Sequence, residues 1–136
     1  SVEQTAREVF DRAYNGTGNW AVNVAFSGRL GLRGVVAHLG NFEVAQRLIE
    51  RNIPLVLSYA WASDELPEAP LEHSAGHLAV LCGFTANGDC AMNDPAAPRV
   101  RVVYSRTALE RLWQRNGAIA YVIAPNGIDY ASVLSG

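Results

Sequence analysis

The chain has 136 residues, 49 % of them apolar and 18 % charged, with a formal charge of -2. Such a composition folds, and it excludes a disordered chain. It also excludes a membrane-spanning helix, because no apolar run reaches about 18 residues, and a nucleic-acid-binding face, because the basic residues are spread thinly.

All 11 basic residues are Arg, so no lysine nucleophile or Schiff base is available on this chain. The first residues, SVEQTAREVF, carry neither an initiator Met nor an apolar signal core, and they read as the start of a piece of a longer protein. One domain over residues 1–136 is expected, since no repeat, low-complexity tract or linker divides it.

Ser1 with Gln4 three residues on forms a capping-box pattern. Val2, Ala6, Val9, Phe10 and Ala13 follow at helical spacing, so a helix is predicted up to Asn15-Gly16-Thr17-Gly18. Asn19 caps a second helix with Trp20, Val24 and Leu30, closed by Gly31. Residues 33–39 read as a strand. Asn41 caps a third helix carrying Phe42, Ala45, Leu48 and Ile49, and Asn52 with Pro54 stops it.

Residues 53–61, IPLVLSYAW, form a continuous β-prone run that reads as a buried strand. A loop with two prolines and four acids occupies 62–76. Two apolar runs then flank Asn87-Gly88, a strong hairpin signal. Residues 100–104 are another strand, Ser105 caps a helix ended by Gly117, and AIAYVIAP is the last strand. Helices first, then mostly adjacent strands, predict an α+β fold with an antiparallel core sheet.

The chemistry concentrates in residues 76–98. His77 opens a strand beside the long loop, where it can reach a cleft. Alone, it reads as a strand-edge His bonded to a nearby carbonyl. Asp94 precedes Pro95 and alone reads as a turn residue. With a two-residue Asn87-Gly88 turn, Asp94 stands opposite Leu81, on the sheet face of His77 but four residues away, about 13 Å. Contact then requires a longer turn, a bulge, or a bend after Asn93.

A His held by a carboxylate is half of a nucleophilic pair. The two cysteines do not supply the other half. Cys82 points to the opposite face from His77, Cys90 lies beside the turn, and both read as packing residues. Neither belongs to a CxxC pair. His73 and His77 are four apart, but Ser74-Ala75-Gly76 argues against a helix between them, so no metal site is expected. No G-x-G-x-x-G or P-loop occurs, so no nucleotide cofactor is expected. Asp64, Glu65, Glu68 and Glu72 form either an acidic rim or a solvated loop. Trp20, Trp61 and Trp113 read as core or groove wall.

Gly76-His77-Leu78, Val80, Gly83-Phe84, Gly88, Asn93-Asp94-Pro95-Ala96 and Pro98 resemble the His–Asp segment of papain-like cysteine peptidases, the group related to bacteriocin-processing, double-glycine leader peptidases. Gly16-Thr17-Gly18-Asn19-Trp20, Ile53-Pro54 and Trp61 are also similar, so the resemblance covers about residues 5–124. It implies a papain-like fold and a peptide or protein substrate. It implies His77 as general base and Asp94 as its orienting partner, with no cofactor. It also implies a secreted or cell-envelope setting.

In that family the nucleophilic Cys lies on a helix N-terminal to all of this, after an oxyanion-stabilising Gln. Here no Cys precedes Cys82, and no Cys follows Gln4 closely. Three expectations follow. The first is the His–Asp part of a thiol peptidase with its nucleophile upstream of Ser1. The second is a peptide- or protein-binding pseudo-peptidase. The third is another acyl-transfer enzyme, such as a transglutaminase-like amidase.

Overall fold

The computed structural model describes residues 1–135. Helices are α1 (Val2–Glu8), α2 (Trp20–Arg29), α3 (Phe42–Ile49), α4 (Arg106–Arg115) and α5 (Ala131–Leu134). Strands are β1 (Leu32–His38), β2 (Leu55–Trp61), β3 (Ser74–Phe84), β4 (Cys90–Asn93), β5 (Val102–Tyr104) and β6 (Ile119–Pro125). The six strands form one sheet in the order β1-β6-β2-β3-β4-β5, and each neighbouring pair is antiparallel. The fold is α+β, as the element order predicts.

Helix starts are set locally by the predicted caps. Ser1 Oγ accepts from the Gln4 N–H, Asn19 Oδ1 from Ala21 and Val22, Asn41 Oδ1 from Glu43 and Val44, and Ser105 Oγ from Ala108. The end of α1 differs from the expected continuation to Ala13. Asp11 takes over the chain at that point. Its backbone pairs with Gly16, and its carboxylate accepts the Ala13 N–H at 2.9 Å and the Asn19 amide at 2.6 Å. A short Asp side chain that binds nearby backbone favours a turn over a helix. The loop it closes leads directly into the cap of α2.

On β2, Leu55, Leu57, Tyr59 and Trp61 are buried, whereas Val56, Ser58 and Ala60 are half-buried. That alternation defines a core face, covered by α3 and α4 through Phe42, Ala45, Leu48, Leu109, Leu112 and Trp113. Helix α2 lies on the other face, over β1 and β6. Gly34 permits this close approach. A Cβ there would lie 2.7 Å from Ser27 Oγ and 2.9 Å from Val24 Cγ1.

The hairpin between β3 and β4 departs from the two-residue turn. The Thr85 N–H bonds Asp89 O at 2.8 Å and the Gly88 N–H bonds Thr85 O at 2.9 Å, so Ala86, Asn87 and Gly88 form a three-residue loop. Gly88 takes φ +87°, the left-handed position such loops require. A bulge follows at Cys82, where the pairing passes from Gly83↔Ala91 to Leu81↔Met92.

Candidate active site

The two irregularities bring the site residues together. With the three-residue loop alone, Asp94 would stand opposite Val80, on the wrong face for His77. The bulge at Cys82 shifts the pairing once more, so Val80 opposes Asn93 and the register extended by one residue sets Asp94 against Ala79. Asp94 returns to the face of His77, now two residues away. That is a diagonal cross-strand pair, about 7 Å between backbones and within side-chain reach.

The side chains close the gap. His77 Nε2 lies 2.9 Å from Asp94 Oδ1. An ionised carboxylate only accepts, so Nε2 carries the proton and donates it. Nδ1 is left without a protein partner among the described residues. His77 also stands opposite Tyr59 on β2, and its ring packs near-perpendicular to those of Tyr59 and Trp61, with centroids 5.6 and 5.3 Å apart. These contacts restrict rotation of the imidazole about its χ2 axis. The His77 side chain is 11 % exposed and that of Asp94 0 %.

Asp94 is fully occupied. Oδ1 also accepts the Ala96 N–H at 2.8 Å, and Oδ2 accepts the hydroxyls of Tyr104 at 2.7 Å and Tyr59 at 3.5 Å. Burial pushes its acidity down, but the Tyr104 hydroxyl, the Ala96 amide and His77 outweigh burial and hold the carboxyl below its usual range. Asn93 supports the same corner, since its Oδ1 accepts the Arg101 N–H at 3.0 Å and closes the following loop at its base.

A cleft of about 570 Å³ opens beside His77. Tyr14, Gly18 and Trp20 wall it from the N-terminal segment, and Ser58, Gly76 and Pro95 from the sheet and the loop after β4. Trp20 therefore belongs to the groove wall, and Trp61 and Trp113 to the core.

The other candidate groups lie elsewhere. Cys82 is exposed in the bulge, and its thiol meets Val80 O at 3.6 Å. Cys90 is buried, and burial pushes its thiol up to about 12, which leaves it protonated and inert at neutral pH. The acidic loop ends at His73, since β3 begins at Ser74. Its acids do not wall the cleft. Glu65 is gripped by Arg115 at 2.6 and 2.7 Å and by the Ala62 N–H, which hold its carboxyl down to about 2, and Glu72 accepts from Ser63. Among the described residues, no three His, Cys, Asp or Glu side chains gather as a metal site, and no helix is long and apolar enough to cross a membrane.

The sequence profile of the Peptidase_C39 like family matches residues 1–121. The chain belongs to that family. A crystal structure from Bacillus anthracis, of a protein provisionally named a C39-like peptidase, superposes with a TM-score of 0.59 at 18 % identity. The superposition covers 79 % of this chain and 57 % of that one, so this C39-like chain spans little more than half the length of that relative. No curated protein matches it. The fold is that of a C39-like peptidase, and the family makes this a cysteine-peptidase-like domain.

Two members of the site, Tyr59 and Tyr104, were not expected from the sequence. Tyr59 carries one signal, its place in the 55, 57, 59, 61 alternation, which puts it on the buried face. Tyr104 carries none, because its link to Asp94 depends on the loop between β4 and β5.

Proposed function

We propose that this chain is the base-bearing part of a thiol peptidase. The observation that carries the reading is the 2.9 Å contact of His77 Nε2 with the buried Asp94 carboxylate at the edge of an open cleft, in a member of a peptidase-like family. His77 Nδ1 takes the proton of a cysteine thiol. The thiolate adds to the carbonyl carbon of a peptide bond. His77 then returns that proton to the amide nitrogen as the C–N bond breaks, which leaves a thioester. Water, deprotonated by the same Nδ1, hydrolyses the thioester and restores the thiol. Asp94 holds the imidazole in the Nε2–H tautomer and stabilises the imidazolium. The attacking cysteine comes from outside these 136 residues.

A specific observation favours a second reading. Neither Cys82 nor Cys90 is suited to the task, one exposed on the bulge and the other buried as a thiol. On that reading the cleft binds peptide or protein segments and makes no covalent bond.

Treating the natural full-length protein with a thiol-directed peptidase inactivator, and mapping the adduct by mass spectrometry, separates the two. Labelling of one cysteine that disappears in His77→Ala supports the peptidase. Labelling that ignores His77 removes that reading and leaves the binding module. Product analysis distinguishes hydrolysis from amide exchange.

A further inference from the structure

We propose that Tyr104 is a positioning residue whose hydroxyl keeps Asp94 anionic and leaves Oδ1 for His77. The inference rests on the reading of His77 as a base oriented by Asp94. The Asp94 side chain is fully buried, so each oxygen must find donors within the protein. His77 Nε2 and the Ala96 N–H both use Oδ1. Oδ2 has Tyr104 at 2.7 Å and Tyr59 only at 3.5 Å, the limit of a hydrogen bond. Tyr104 is therefore the one short donor on that oxygen among the described residues.

The donor is held in place independently of Asp94. Tyr104 is fully buried and pairs with Cys90 across the β4–β5 ladder. Burial raises the pKa of its hydroxyl, with Asp94 adding to the effect, so the proton stays on Tyr104 throughout the neutral range. Without it, Oδ2 becomes a buried acceptor lacking a proper donor, and the carboxyl relieves this by binding a proton. A neutral carboxyl is a weaker acceptor for Nε2–H, so its hold on the His77 ring loosens. The titratable groups on this carboxylate are Tyr59 from β2, His77 from β3 and Tyr104 from β5, with Cys90 on β4 and Glu68 of the 62–73 loop in the wider surroundings.

The test is a carboxyl ¹³C titration of Asp94 in the intact protein, with ¹⁵N spectra of His77 as the second readout. In Tyr104→Phe the Asp94 midpoint should rise by about one unit or more, a tenfold gain in proton affinity, because a donor to the charged form has gone. Tyr59→Phe should move it less. The ¹⁵N shifts of His77 should report the same midpoint, because its Nε2–H loses a charged acceptor there. Where the wild type unfolds first, its unfolding pH is the upper limit, and the Tyr104→Phe midpoint is expected above it. A midpoint that stays in place in a folded Tyr104→Phe protein overturns the proposal. If that variant does not fold, the wild type decides, since a Tyr104 hydroxyl proton that exchanges as fast as an exposed tyrosine's overturns it as well. An Asp94→Asn protein that keeps full His77-dependent cysteine labelling removes instead the reading of Asp94 as the partner that orients His77, and leaves the Tyr104 result standing.

Discussion

His77 and Tyr104 reach the same carboxylate from two sides, His77 on Oδ1 at 2.9 Å and Tyr104 on Oδ2 at 2.7 Å. Removing that carboxylate strands both donors and the Ala96 amide. Asp94→Ala should cost about 2–4 kcal/mol in denaturant unfolding, from lost charge-assisted bonds and the unpaired groups left behind. A cost near zero would mean that water enters and satisfies the corner.

The pH dependence has a defined sign. The folded Asp94 carboxyl is held below its ordinary range. Its contribution is fully present above the unfolded value near pH 4 and is lost as pH falls through the folded value. The melting temperature of the wild type should therefore fall on acidification below about pH 4, and that of Asp94→Asn should fall less. Parallel curves would remove Asp94 from the acid transition.

Thiol accessibility separates the two cysteines. Cys82 is exposed, whereas Cys90 is buried with its thiol pushed up to about 12. Iodoacetamide at pH 8 should modify Cys82 in the folded protein and Cys90 only after denaturation. Peptide mapping checks this, and rapid native labelling of Cys90 would contradict the burial of β4.

Gly34, in the α2–β1 contact, and Gly28, on the exposed side of α2, should behave oppositely. Gly34→Ala forces a methyl against Ser27, Val24 and Ile123, and should cost about 1–3 kcal/mol. Gly28→Ala meets nothing within 4 Å in α2 and should gain about 0.5–1 kcal/mol. Equilibrium unfolding of both variants is the measurement, and a neutral Gly34→Ala would mean that α2 shifts freely over the sheet.

Arg115 fastens the acidic loop through its fork on Glu65. Arg115→Ala should speed limited proteolysis within residues 66–72 while global melting changes little, because an exposed ion pair restrains locally. Unchanged cleavage would show that the Trp61 N–H to Leu71 O bond and the Ser63–Glu72 bond hold the loop unaided.

The helix starts were legible because a cap is a contact between residues two or three apart. Ser1, Asn19, Asn41 and Ser105 all cap as their spacing predicts. The end of α1 was less legible, because Asp11 turns the chain through Asn19, eight residues on. Alternation correctly put His77 and Asp94 on one face, but by a different register. The loop is one residue longer than an Asn-Gly turn and Cys82 adds another, so the two shifts restore the shared face and halve the offset. A bulge has no compositional mark in this strand. The tyrosines that bind Asp94 come from other strands, beyond the reach of local patterns.

The sheet order sets a schedule for synthesis. Strands β2 to β5 pair with successive neighbours, so the hairpin holding His77 and Asp94 can form as it leaves the ribosome. Among the described residues strand β1 pairs only with β6, which ends at Pro125, and β6 slots between β1 and β2. Until then neither side of β1 is paired, and the side of β2 that takes β6 is uncovered as well. A folding chain in which β6 has not yet docked therefore exposes two sticky strands beside a formed His–Asp corner, and chaperone capture or aggregation should concentrate in that interval.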